Sequence, residues 1–434
     1  MTPSLPPVLR RIVRLNNGFQ LSFNLLWWMP VFYEYQRGSG LSDTEIFGIQ
    51  SIYYLAFCFL EVPTGLVADR IGLRRCLRLG AAVMVVANVL PAVRADHTGF
   101  LLHFLLLAAA RSLVSGAGSA YLYEALDGHG VADRYTQAEG SARALGLAAK
   151  IACWPFVGLV SAVAVSAPYW LTALSAGASL VCVLALPPLP RAAAPTGAES
   201  SAAGVGHGPF TALRGAARVP IDSKMLVPLM LQGVAVFTLA RICQVNLFQP
   251  LLLDKDVPVA HHGLVLSAMT LAEAVAAARP GLVRRRMRDS SAVFALTVAM
   301  AGVLAVAAWA TGAVTAGLLC VFAAASGFCY PIQRQLVNEA IPTTPYRATL
   351  LSVESIVDRG VCALAAMATG AYLAAGRMNN LLVHSAVATC VLLVIVAGAL
   401  GWARRSTRAD QQPKTSAVPA STGDRSAKSR NVRG

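Results

Sequence analysis

The sequence predicts an all-α membrane protein of about twelve transmembrane helices in two six-helix halves, and three observations carry that prediction. The 434 residues are 56% hydrophobic and only 13% charged, with a mean hydropathy of +0.59. A chain so apolar cannot cover a water-facing surface, so lipid is the solvent for most of it. Second, the chain divides into apolar stretches of roughly 20 residues, the length that crosses a bilayer core as helix. Third, basic residues alternate between the two sides of those stretches. They collect at Arg10 to Arg14, Arg70 to Arg78, Arg214 to Lys224, Arg279 to Arg288 and Arg404 to Arg433, whereas Arg37, Arg94, Lys255 and Arg377 stand singly in the intervening loops. This is the positive-inside pattern, which predicts an even number of crossings and two cytoplasmic termini. The net charge of +15 is thereby read as topology; the expected partner is the lipid bilayer, with no nucleic acid.

The first stretch, Leu15 to Tyr35, follows Arg10, Arg11 and Arg14, and no small-residue cleavage site follows Trp27, Trp28 and Met29. It reads as a retained helix, not a signal peptide. Thr44 to Val67 and Cys76 to Val93 flank the second basic cluster. Gly99 to Tyr123 contains Gly116 and Gly118, small residues suited to helix packing. Ala142 to Val165 contains Pro155, and Tyr169 to Leu186 ends where the apolar period stops. Pro187 to Lys224 is rich in Ala, Gly and Pro, which predicts a linker. Six further stretches follow: Leu226 to Leu252, His261 to Ala278, Ala292 to Thr311, Ala313 to Val337, Thr349 to Ala374 and Asn380 to Trp402. The expected organisation is a bundle over 1–188, a cytoplasmic linker over 189–224, a second bundle over 225–403 and a disordered basic tail over 404–434. The nine cysteines lack metal or redox spacing and read as packing residues. No nucleophile, metal cluster or phosphate loop stands out, so neither an enzyme nor a cofactor is expected.

The connection after the second stretch runs Gly65-Leu66-Val67-Ala68-Asp69-Arg70-Ile71-Gly72-Leu73-Arg74-Arg75. Its spacing resembles the G-x-x-x-D-R-x-G-x-R-R signature loop of the major facilitator superfamily. The resemblance implies that Asp69 meets a helix amino terminus of the other half, near Arg347 to Thr349, and stabilises the outward-facing state. Arg70 and Arg74 or Arg75 would be its loop partners. Arg111 to Ala120 is similar to the family's R-x-x-x-G-x-G-x-A pattern with one extra residue before Gly116. Gly146 and Pro155-Phe156-Val157-Gly158 resemble part of the antiporter motif, with Pro155 and Gly158 expected to let the helix flex. Trp154 and Leu159 stand where that motif has glycines. Glu61 to Gly65 and Arg347 to Ser352 are similar to a bacterial branch rich in poorly characterised drug exporters.

Ionisable residues inside membrane stretches are costly and therefore functional candidates. Here they are Glu34, Glu61, Arg111, Lys150, Arg241, Glu273, Arg334, Glu354, Asp358 and Arg359. Glu61 reads equally as a proton carrier or as a structural partner of the gate. Arg241 comes with Gln244, Asn246 and Gln249, a set suited to a cavity wall, and Glu273 is its expected partner by depth. Glu354, Asp358 and Arg359 suggest a network between helices. Asn17, Gln20 and Asn24 recur at helical spacing and define a polar stripe expected to face a central cavity. Trp27 and Trp28 fit either that cavity or the membrane interface.

Together with the resemblance, these residues imply a monomeric secondary transporter of the cell membrane with a small-molecule substrate. The leading expectation is a proton-coupled antiporter that exports a drug-like molecule or secondary metabolite. Glu61 or Glu273 would take the proton and Arg111 would tune it. A nutrient importer is the alternative within transport, and a transport-inactive sensor or scaffold is the alternative of another class.

Overall fold

In the computed structural model, residues 6–188, 225–341 and 347–411 are described, the side chains of Val62, Leu66, Asp69, 347–352, Arg404 and 406–411 excepted. The expected linker and the tail beyond residue 411 lie outside the described residues. Those described are mostly helical, with no strand among them. Ten helices are long and apolar enough to cross a membrane. The first crossing, which is polar and interrupted, and the long helix Asp43–Ile71 add two more, in keeping with the expected twelve. Large apolar side chains such as Phe59, Leu159, Leu174, Trp309, Leu364 and Val394 face outward, as a lipid-facing surface requires.

The second crossing, Asp43–Ile71, starts from a capping box. The Ser42 hydroxyl accepts from the Glu45 amide, and the Glu45 carboxylate accepts from the Ser42 amide at 2.8 Å. That arrangement satisfies two orphan donors at a helix start. The helix ends at Gly72, whose φ of 86° lies in the left-handed region that glycine alone adopts cheaply. The third crossing, Leu73–Val93, begins at the next residue. The fourth, His97–Asp127, is capped by Asp96 through the Gly99 amide at 2.7 Å; the Arg94 guanidinium and that amide hold the Asp96 carboxyl below the usual range. The fifth crossing is bent. Its helix Tyr135–Cys153 tightens into a 3-10 turn at Trp154–Phe156, where Pro155 lacks an amide hydrogen, and resumes as Val157–Val163. The sixth is Ala167–Leu184.

In the second half, the seventh crossing changes from α-helix to a π-helical turn at Ile242–Leu247 before ending at Asp254. The others are Val259–Ala277, Asp289–Ala307, Gly312–Ala340, Arg347–Ala374 and Met378–Gln411. The twelfth runs past residue 403, into the stretch expected to be tail. Each half has its own apolar core, but Val31, Tyr54, Trp154 and Val157 from the first half pack in the core of the second.

The first crossing departs from the expected single helix over Leu15 to Tyr35. It is two helices, Pro7–Asn24 and Phe32–Gly38, separated by a non-helical stretch. Pro30 cannot donate in a helix ladder, and other helices satisfy the freed backbone groups. Thr172 accepts from the Trp27 amide at 2.9 Å, Trp154 Nε1 donates to the Leu26 carbonyl at 2.9 Å, and Gln249 Nε2 donates to the Met29 carbonyl at 2.7 Å. Gln249 Oε1 also accepts from the Tyr33 amide at 2.9 Å. Irregular backbone at membrane depth is tolerated only with such partners, and the residues supplying them are distant in sequence.

Candidate transport site

The halves are clasped at the end opposite the termini. Gln249 of the seventh crossing holds the interrupted first crossing. In the fifth and eighth crossings, a β-carbon on Gly158 or Gly263 would collide with the backbone of Ala260 or Trp154 respectively. Only glycine permits that approach. Gly370 of the eleventh crossing likewise abuts Asp43 and Phe47 of the second. Deeper in, the Tyr54 hydroxyl donates to Asn246 at 3.0 Å across the halves. Toward the other end, Gly65, Gly116 and Gly146 have no atom of the described residues near the position a β-carbon would take.

Behind the clasp lies a cavity of about 120 Å³. Trp28, Phe32, Tyr53, Tyr54 and Phe104 supply aromatic walls, Gln50 an amide, and Arg111 and Arg241 two guanidiniums. Trp28 is fixed by donation from its Nε1 to Asn88 at 2.8 Å and by a stack on Tyr169, which places it in the wall and not at the interface. Of the polar residues expected to line a cavity, Arg241 does so. Asn17, Gln20, Asn24 and Gln244 do not border this one. Asn17 donates to Ser141 of the fifth crossing at 3.2 Å, and Asn24 donates to Gln20. A helical stripe has one direction, but which neighbour lies there is set by packing.

The ion pairs correct a further expectation. Arg241 does not meet Glu273; it pairs with Asp358 of the eleventh crossing at 2.9 Å, and Thr238 donates to the same carboxylate at 3.2 Å. Arg334 pairs with Glu354 at 3.3 Å. Glu273 instead faces Arg143 and Lys150 of the fifth crossing, across the boundary between halves. Arg111 lies near Lys150, which also feels Glu273. Depth along a helix was the only guide to pairing in the sequence, and depth does not say which helices are neighbours. Arg359 lies over the Phe57 ring, 3.7 Å from its centroid, and feels Glu61 as a counter-charge. Arg143, Gln50 and Tyr54 had no signal: Arg143 sits at the expected edge of its stretch, and the others look like ordinary span residues.

In the loop after the second crossing, Gly72 makes the turn, Arg70 and Arg75 are exposed and Arg74 is half-buried. The side chain of Asp69 lies outside the described residues. In the second half, the loop Arg279 to Arg288 lacks an acid before Gly281, yet it is closed by one from the other side. Arg284 grips the Asp289 carboxylate through both Nε, at 2.9 Å, and a terminal nitrogen.

The sequence matches the Major Facilitator Superfamily over residues 18–357. The chain belongs to that superfamily. It is accordingly a multi-pass membrane transporter. Solved structures agree in fold: the nucleoside transporter NupG at 15% identity, TM-score 0.70, covering 91% of this chain and 99% of that one; a POT family transporter in complex with 5-aminolevulinic acid at 12%, TM-score 0.69, covering 92% and 97%; and a bacterial homologue of the human lysosomal transporter Spinster, inward-facing and unoccupied, at 15%, TM-score 0.62, covering 94% and 99%. No curated protein matches it significantly.

Proposed function

We propose that the protein is a proton-coupled antiporter of the cell membrane, acting as a monomer, that exports a drug-like or secondary-metabolite molecule by rocking its halves about the central cavity. The observation that carries this reading is the placement of Glu273. Its counter-cations, Arg143 and Lys150, belong to the opposite half. Motion of the halves changes the distance between them, and a buried carboxylate stripped of cations takes a proton. Proton binding and the direction of opening are thereby linked. With the termini in the cytoplasm, the clasped end is the outer one and the state is inward-facing. In the reverse state, Asp69 and the start of the eleventh helix would lock the cytoplasmic side, with Arg70, Gly72, Arg74 and Arg75 shaping the loop. The bend at Pro155 and the close approach at Gly158 fit a fifth crossing that pivots against the eighth, the feature that favours export.

In everted vesicles from an expressing strain, adding substrates from a drug-susceptibility panel is expected to release protons. Glu273→Gln should abolish that release while leaving expression unchanged, and Glu61→Gln tests the second carboxylate. The reading fails if no panel compound releases protons, or if both variants retain efflux.

A further inference from the structure

Inside the membrane an unpaired cation is expensive, by several kcal/mol at the least, and most cations of the described crossings have visible relief. Arg241 has Asp358, and Arg334 has Glu354. Arg143 and Arg359 lie over Tyr330 and Phe57. Arg111 differs. Among the described residues no acid lies within ion-pair distance of it, no ring receives it, and its buried Nε has no hydrogen-bond partner. The nearby Lys150 adds a like charge.

Arg111 also borders the aromatic cavity, whose lining contains no carboxylate. The other guanidinium there, Arg241, is already neutralised by Asp358. The site thus combines one uncompensated positive charge with a wall of rings. We propose that the substrate is an anion, a carboxylate, sulfonate or phosphate bearing an aromatic body, and that Arg111 receives the anionic group while Tyr53, Tyr54 and Phe104 receive a ring. A planar guanidinium suits such oxyanions, which it binds through two parallel hydrogen bonds. The cavity's volume of about 120 Å³ sets the scale, since an apolar cavity of about 150 Å³ holds a benzene. One ring at most enters here, and the remainder of the molecule extends toward the open, terminus-bearing side. The inference rests on the transport reading above and adds the chemical class of the cargo.

The test uses the full chain in nanodiscs and matched one- and two-ring probes: benzoate and 2-naphthoate, their amides, and the corresponding methylamines. Calorimetry should show the acids binding at least tenfold tighter than amides or amines. Arg111→Gln should weaken the acids by about tenfold to a hundredfold, the worth of a charged hydrogen bond, and the amides by less, with folding checked by thermal melting; Arg111→Lys should retain part of the preference. The proposal is overturned if no acid binds at millimolar concentration, if amides or amines bind as tightly, or if Arg111→Gln leaves acid binding intact. The ligand series on the unaltered protein decides the charge preference even if the variants fail to fold. Counterflow of labelled acid in proteoliposomes separates the two readings. Acid binding without counterflow removes transport and keeps the anion site, whereas counterflow of an amine without acid binding removes the anion site and keeps transport.

Discussion

Replacing Gln249 by Leu is expected to loosen the clasp between the halves without unfolding either one. The Gln249 side chain is fully buried, donates to the Met29 carbonyl at 2.7 Å and accepts from the Tyr33 amide at 2.9 Å. Both backbone groups flank the interruption of the first crossing, so no helix ladder can replace the lost partner. Leaving each unpaired while buried costs about 1 kcal/mol or more, hence about 2 kcal/mol for the pair. That cost falls only on the clasped state, because water reaches both groups once this end opens. An equilibrium shift of 2 kcal/mol is roughly 30-fold. Hydrogen exchange read by mass spectrometry on peptides spanning 27–43 should accelerate by about that factor in Gln249→Leu, with the fourth and ninth crossings unchanged. The reasoning is refuted if exchange in that window stays the same, or if every crossing accelerates together, which would mean global destabilisation.

Other substitutions test other contacts. Gly263→Val places a side chain against the Trp154 backbone, and overpacking of about 1–3 kcal/mol should open the same end and reduce transport, read by the same exchange experiment. Arg241→Met strands the Asp358 carboxylate; with a third of Arg241 exposed, solvent screening reduces the cost to about 2 kcal/mol. The double variant Arg241→Met with Asp358→Asn should melt above either single variant. Equal melting temperatures would show that the pair is not coupled. Asn88→Ala removes the acceptor of Trp28 Nε1, and the stranded indole N–H should cost about 1–3 kcal/mol, seen as lower thermal stability and weaker binding of ring-bearing probes.

Much of the fold was legible because lipid imposes a strong rule: every crossing must be long, apolar and internally hydrogen-bonded. Leu73–Val93 and Asp289–Ala307 follow it closely and fall near where hydropathy places them. The first crossing does not, since its broken backbone depends on Thr172, Trp154 and Gln249. No local pattern announces partners so distant in the chain. Candidate residues were visible for a related reason. Charges such as Arg111, Glu273 and Asp358 stand out against apolar neighbours, yet their partners do not. The acid that closes the second-half loop, Asp289, follows the basic cluster, and its pairing with Arg284 is decided by the fold of the loop.

The sequence by itself determined the solvent of this protein, the number and approximate limits of its crossings, the turn at Gly72 and the identity of its buried charges. These depend on composition, spacing and the energetic cost of each residue type in lipid, which act locally. Only the tertiary structure decided that Arg241 belongs to Asp358, that Glu273 faces the other half, that Gln249 splices a broken helix and that Arg111 has none of the described acids beside it. Those outcomes depend on which helices are neighbours and on their rotation about their axes, and packing of the whole bundle sets both.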